Sequence, residues 1–100
     1  MTDDGETDGY AGDVTVGVGG EPARTARAAL AARFDPLAGH VVWSGRISAE
    51  LPLRVPVLVT TPHGSARAEG TERDVWGNTR VSGIDRPPFP VEVLDAADDR

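Results

Sequence analysis

The chain contains no cysteine and no lysine among its 100 residues. The first absence excludes disulfides, thiolate metal sites and cysteine nucleophiles, so a zinc site would have to rest on His40, His63 and carboxylates. The second leaves all ten basic residues as arginine; beside heavy use of alanine, glycine and valine, this points to a GC-rich coding sequence, not to a mechanism. Aromatic residues are scarce, only Tyr10, Phe34, Trp43, Trp76 and Phe89. No apolar run approaches the roughly 20 residues of a membrane-spanning helix, and the N-terminus is acidic where a signal peptide would be basic. The expectation is a cytoplasmic protein that does not engage a membrane.

The net charge of -6 is concentrated at the ends. Asp3, Asp4, Glu6 and Asp8 precede the first apolar segment, and Asp95, Asp98 and Asp99 follow the last one. Residues 9–94 balance nine acids against nine arginines. Nucleic-acid binding draws on a basic excess that displaces counterions from phosphates, and neither the tails nor the body supplies one. Residues 1–9 and 95–100 read as disordered acidic tails, because they are too polar to offset the entropy of ordering. One domain over residues 10–94 remains, a size at which a single modest core forms.

Within that domain, Val14, Val16 and Val18 alternate along a strand that ends at Gly19-Gly20. Residues 22–34 are ambiguous. Propensity favours a helix opened by Pro22. The rival is a strand with Ala26, Ala28, Leu30, Ala32 and Phe34 facing inward. Asp35-Pro36 and Gly39 mark a turn. Residues 40–48 read as a strand with Val41, Trp43, Gly45 and Ile47 on one face. Glu50 to Pro56, broken by two prolines, belongs to an edge or loop.

Val57 to Thr61 and Ser65 to Glu72 form a hairpin around Pro62-His63-Gly64. Asp74 and Gly77 occupy the first and fourth positions of a type I turn, which places Trp76 inside it. Asn78 to Ile84 is a strand, Arg86-Pro87-Pro88-Phe89-Pro90 is extended, and Val91 to Leu94 is a last short strand. The result is an all-β fold of six to seven strands, an antiparallel meander closed as a small barrel or collapsed as a two-sheet sandwich.

The pattern Phe34-x-Pro36-x-x-Gly39-x-x-x-Trp43-x-Gly45-Arg46, with Asp74-x-Trp76-Gly77, Val81-x-Gly83 and Pro87-Pro88-Phe89, resembles an actinobacterial domain of unknown function. That family occurs alone and appended to flavin-dependent monooxygenases of the Baeyer-Villiger type. The resemblance implies a strand over residues 22–34, since that segment is richer in β-branched residues in the family. It also implies a flavin enzyme as partner. A flavin bound by this chain is not implied, because Gly17-Val18-Gly19-Gly20 opens no dinucleotide-binding helix.

Five residues are candidates for ligand or partner binding: His40, Trp43, Arg46, Trp76 and Phe89. Trp76 reads first as a plug over an open barrel end and second as a ligand-stacking lid. Trp43 reads as core, with Phe89 filling the space that Gly45 leaves beside the indole. Arg46 pairs with Asp74 or serves an anion, with Arg80 competing for the carboxylate. Asp35, Gly39, Asp74 and Gly77 are turn formers. No nucleophile, general base, metal set or cofactor motif stands out.

The leading expectation is a non-catalytic accessory or binding module beside a flavin-dependent monooxygenase. The alternatives are a ligand-binding or catalytic barrel, its cavity lined by Trp43 and Phe89 with Arg46 or His40 at the mouth and holding a small apolar molecule, and a structural homo-oligomer paired through edge strands near Leu51 to Val59.

Overall fold

The computed structural model describes residues 8–91, in which six antiparallel strands and no helix occur. They are β1 (Asp8–Gly17), β2 (Arg24–Asp35), β3 (His40–Ile47), β4 (Pro56–Thr61), β5 (Gly64–Arg73) and β6 (Thr79–Gly83). The tails expected to be disordered lie outside these residues, except that β1 already begins at Asp8. The expected last strand also falls largely outside; Val91, within the described residues, is buried but not in a strand.

The ambiguous alanine-rich segment is β2. Helix propensity is a weak prior, and β2 pairs with β1 along one side and β3 along the other. Its burial alternates, with Ala26, Ala28, Leu30 and Ala32 inward. Phe34 departs from the expected inward row and is 49% exposed. Among the described residues β1 pairs with β2 only as far as Ala32, so Phe34 sits opposite Val41 on the two-stranded end of the β2–β3 hairpin.

The sheet closes as a barrel in the order β1-β2-β3-β6-β5-β4. This is a barrel and not a sandwich, but not one continuous meander. Two three-stranded meanders are joined by a crossover over residues 48–55, which carries the chain from β3 to β4 beside β1, a Greek-key connection. Leu58 to Thr60 pairs with both β1 and β5, so this part of β4 offers no edge for the expected pairing between chains.

A six-stranded barrel has a narrow interior. Its walls are accordingly small at Ala26, Ala28, Ala32, Ala66 and Ala68, and the segments outside the strands add further large side chains at the ends. At one end the crossover inserts Leu51, which is fully buried. The hydroxyl of Thr79, itself fully buried, accepts from the Leu51 amide at 3.0 Å and donates to the Ala49 carbonyl at 2.7 Å. Arg73 Nη2 donates to the Leu51 carbonyl at 2.8 Å, and the Arg54 amide to Gly70 O at 2.8 Å.

At the other end a strap over residues 84–91 runs from β6 across the barrel mouth. It inserts Phe89 and Val91, and Pro88 O accepts a hydrogen bond from the Thr61 hydroxyl on β4.

Candidate binding face

The closed barrel separates the aromatic candidates. Trp43 is 3% exposed and Phe89 is 5% exposed, and the two rings meet edge to face at 6.3 Å. They fill the strap end against each other, where a ligand cavity between them was one expectation. The space beside the indole comes from Gly83 on the neighbouring strand, since a Cβ there would collide with the Trp43 ring. Gly45, expected to make that space for Phe89, is instead covered by Leu30.

Trp43 Nε1 donates to the Asp85 carbonyl at 2.8 Å. The Asp85 carboxylate in turn accepts from Nε and Nη2 of Arg67 at 3.0 Å each, and from the Arg67 amide at 3.0 Å. These side-chain bonds from Arg67, followed by its amide, hold the Asp85 carboxyl below its ordinary value, and the same contact raises the Arg67 guanidinium. The sequence singled out neither residue. The only available signal was Asp85 standing before the Arg86-Pro87-Pro88 run, a turn position.

His40 lies on the rim of a groove of about 360 Å³ between β3 and the strap, with Trp43 and Pro87 in its walls. Its Nδ1 is 3.1 Å from the Val41 carbonyl. Asp35, its cross-strand partner, accepts the Leu37 amide at 3.0 Å on its side chain and the Gly39 amide at 2.8 Å on its carbonyl, closing the β2–β3 turn.

Trp76 belongs to the opposite end. It is 79% exposed, beside an exposed Val75, in the loop between β5 and β6. The expectation that it plugs the barrel is overturned: Leu51 already occupies that end from the crossover, so the interior has no room to receive an indole. Phe89 therefore shares no surface with Trp76, because the chain reaches them from opposite ends of β6.

The loop that carries Trp76 is fixed by Asp74. Its Oδ1 accepts the amides of Trp76 at 2.9 Å and Asn78 at 3.0 Å, and its Oδ2 accepts Asn78 Nδ2 at 3.0 Å. The Gly77 amide donates to Asp74 O at 3.3 Å, and Gly77 has φ +87°, a left-handed conformation that glycine adopts without strain. Desolvation would push the Asp74 carboxyl up; the bonds from Asn78 and Trp76 and the nearby Arg46 outweigh it and hold it below its ordinary value.

Arg46 Nε lies 3.8 Å from Asp74 Oδ2, a partly exposed pair, whereas Arg80 turns to Glu72 at 3.8 Å and does not compete for Asp74. Strand register sets this arrangement. Ala11, Ala29, Arg46, Arg80 and Glu72 form one cross-strand row on the outer surface, over β1, β2, β3, β6 and β5. An open groove of about 650 Å³ follows this row, with Arg27, Ser48 and Asn78 also in its walls. The Arg27 amide donates to Ser48 Oγ at 2.9 Å, and Arg27 Nη1 lies 3.8 Å from Asp13 Oδ1. Arg27 and the row itself were missed in the sequence, since register across five strands leaves no local signature.

Among the described residues, no helix is long and apolar enough to cross a membrane, and no group of three or more histidines and carboxylates is placed to hold a metal. Neither a curated protein nor a solved structure matches the chain. A family model does match over residues 7–91, the whole barrel with its strap, and on that coverage the chain belongs to the family described as a domain of unknown function, DUF4873.

Proposed function

We propose that the domain is a non-catalytic binding module that docks through the Val75–Trp76 loop on a partner enzyme in the cytoplasm. The partner implied by the sequence resemblance is a flavin-dependent monooxygenase. The observation that carries the docking site is the presentation of Trp76: a tryptophan 79% exposed, on a loop that two backbone amides and the Asn78 side chain tie to the Asp74 carboxylate.

Exposing a large ring forgoes the burial that would stabilise the fold, and holding it rigidly lowers the entropy lost on association. Tryptophans of this kind dominate interface energies, while their neighbours mainly exclude water. Arg46 supports the site by pairing with Asp74 at its base.

The test is calorimetric titration of the full chain against a flavin-dependent monooxygenase from the same genome. Trp76→Ala should keep the circular dichroism of the parent and weaken binding by about 30-fold, the loss of a strong interface anchor. Equal affinity for parent and variant would remove the loop as the docking site. Absence of binding by the parent would remove this partner, and self-association abolished by Trp76→Ala would replace it with a second copy of the chain.

A further inference from the structure

We propose that the outer groove over β2, β3 and β6 is a binding site for a small oxyanion, a phosphate monoester or a carboxylate carried on a flat body, held by Arg46, Arg80 and Arg27. This site does not rest on the docking role, although it adjoins the foot of the Trp76 loop, where Arg46 reaches Asp74.

Register supplies the first argument. Arg46 and Arg80 are direct cross-strand partners on the same outer face. Side chains so placed start about 5 Å apart, and like charges there repel. The Arg27 amide donates to Ser48 Oγ one row on, which sets Arg27 diagonal to Arg46 and within the reach of a long side chain. Three arginines thus line one groove of about 650 Å³.

The acids beside them do not use up this charge. Asp74 already accepts three hydrogen bonds from its own loop, so Arg46 is only one of its partners. Each of the pairs Arg27–Asp13, Arg46–Asp74 and Arg80–Glu72 is 3.8 Å apart, beyond hydrogen-bond distance. The side chains of Asp13 and Glu72 are 73% and 72% exposed, so their attraction is screened by water. Each guanidinium carries five N–H donors, more than its one carboxylate neighbour takes up at this distance, and an oxyanion that can receive two at once suits the remainder.

The floor completes the match. Ala11, Ala29 and Gly45 line the same groove and leave the sheet surface low beside the arginines, so the body of a ligand can lie flat while its anion meets the guanidinium groups.

The site is tested on the full chain by amide NMR titration with two probes, phenyl phosphate and benzoate. Saturable shifts of Arg27, Ala29, Arg46 and Arg80 with either probe are expected, and the tighter probe assigns the anion. Arg46→Ala and Arg80→Ala should each weaken binding about tenfold or more, the loss of a charge-assisted contact. Arg46→Lys, which keeps the charge and loses the fork, should fall between. Trp76→Ala should bind the probes as the parent does. Shifts that do not saturate, that scatter over the surface, or that persist unchanged in both alanine variants would overturn the site.

Discussion

The two tryptophans stand at opposite ends of one barrel, and each depends on an aspartate. At the strap end Asp85 offers Trp43 its backbone carbonyl and spends its carboxylate on Arg67. At the crossover end Asp74 spends its carboxylate on the loop amides, and the indole it positions faces water. The difference lies in what fills the barrel beneath. The strap leaves a space that Trp43 and Phe89 share, whereas Leu51 has already closed the other end. Similar local chemistry thus gives a core ring in one place and a presented ring in the other.

The sharpest way to break this contrast is to truncate both rings. Trp43→Ala should destabilise the domain by about 3–5 kcal/mol, because it empties a buried, edge-packed site. Urea unfolding followed by circular dichroism measures it; a loss as small as that of a surface change would mean that the strap end is not packed around the indole.

Thr79→Val comes next. It leaves the Leu51 amide and the Ala49 carbonyl without their partner at the crossover end and should cost about 1–3 kcal/mol by the same measurement. A neutral result would show that the crossover is held by Leu51 burial alone.

Asp85 gives a pH dependence to the strap end. Its folded value lies below its unfolded one, so its contribution is fully present above the ordinary carboxylate value of about 3.9 and is lost as pH falls through the lower folded value. Asp85→Asn should therefore be less stable than the parent at neutral pH, with the gap narrowing as pH falls below the ordinary carboxylate value of about 3.9. Asp74 shifts in the same direction, so part of the acid sensitivity should survive in the variant. A gap independent of pH would dissociate the strap from the Asp85 charge.

The smallest effect on stability belongs to Trp76→Ala, within about 0.5 kcal/mol of the parent, as for an exposed side chain away from packing. A loss comparable to that of Trp43→Ala would mean that the loop tryptophan packs as core after all, and would end the contrast between the two ends.

Much of this architecture was legible in the sequence. Alternation at Val14 and Val16, and at Trp43 and Ile47, placed inward faces correctly, and the turns at Pro62-His63 and Asp74–Gly77 fall where their residues put them. The alanines of β2 were not decisive, because alanine suits a helix and equally a wall that must be thin; only pairing on both flanks separates the two. Trp76 was placed in the right turn and given the wrong direction, since nothing near it shows that a residue of the crossover fills the interior first. The Arg67–Asp85 pair and the row joining Arg46 to Arg80 are products of register, which no single segment encodes.

The crossover has one more consequence, for how the molecule comes together. Each three-stranded half can form from neighbouring hairpins, but the seams β1–β4 and β3–β6 join residues far apart in the chain. Contacts of that separation form slowly, because a long loop must be ordered before they return any stabilisation. Neither seam can close until residues 48–55 have turned the second half back onto the first. The short segment that inserts Leu51 is therefore expected to set the folding rate, and changes such as Thr79→Val should slow closure as well as weaken the closed state.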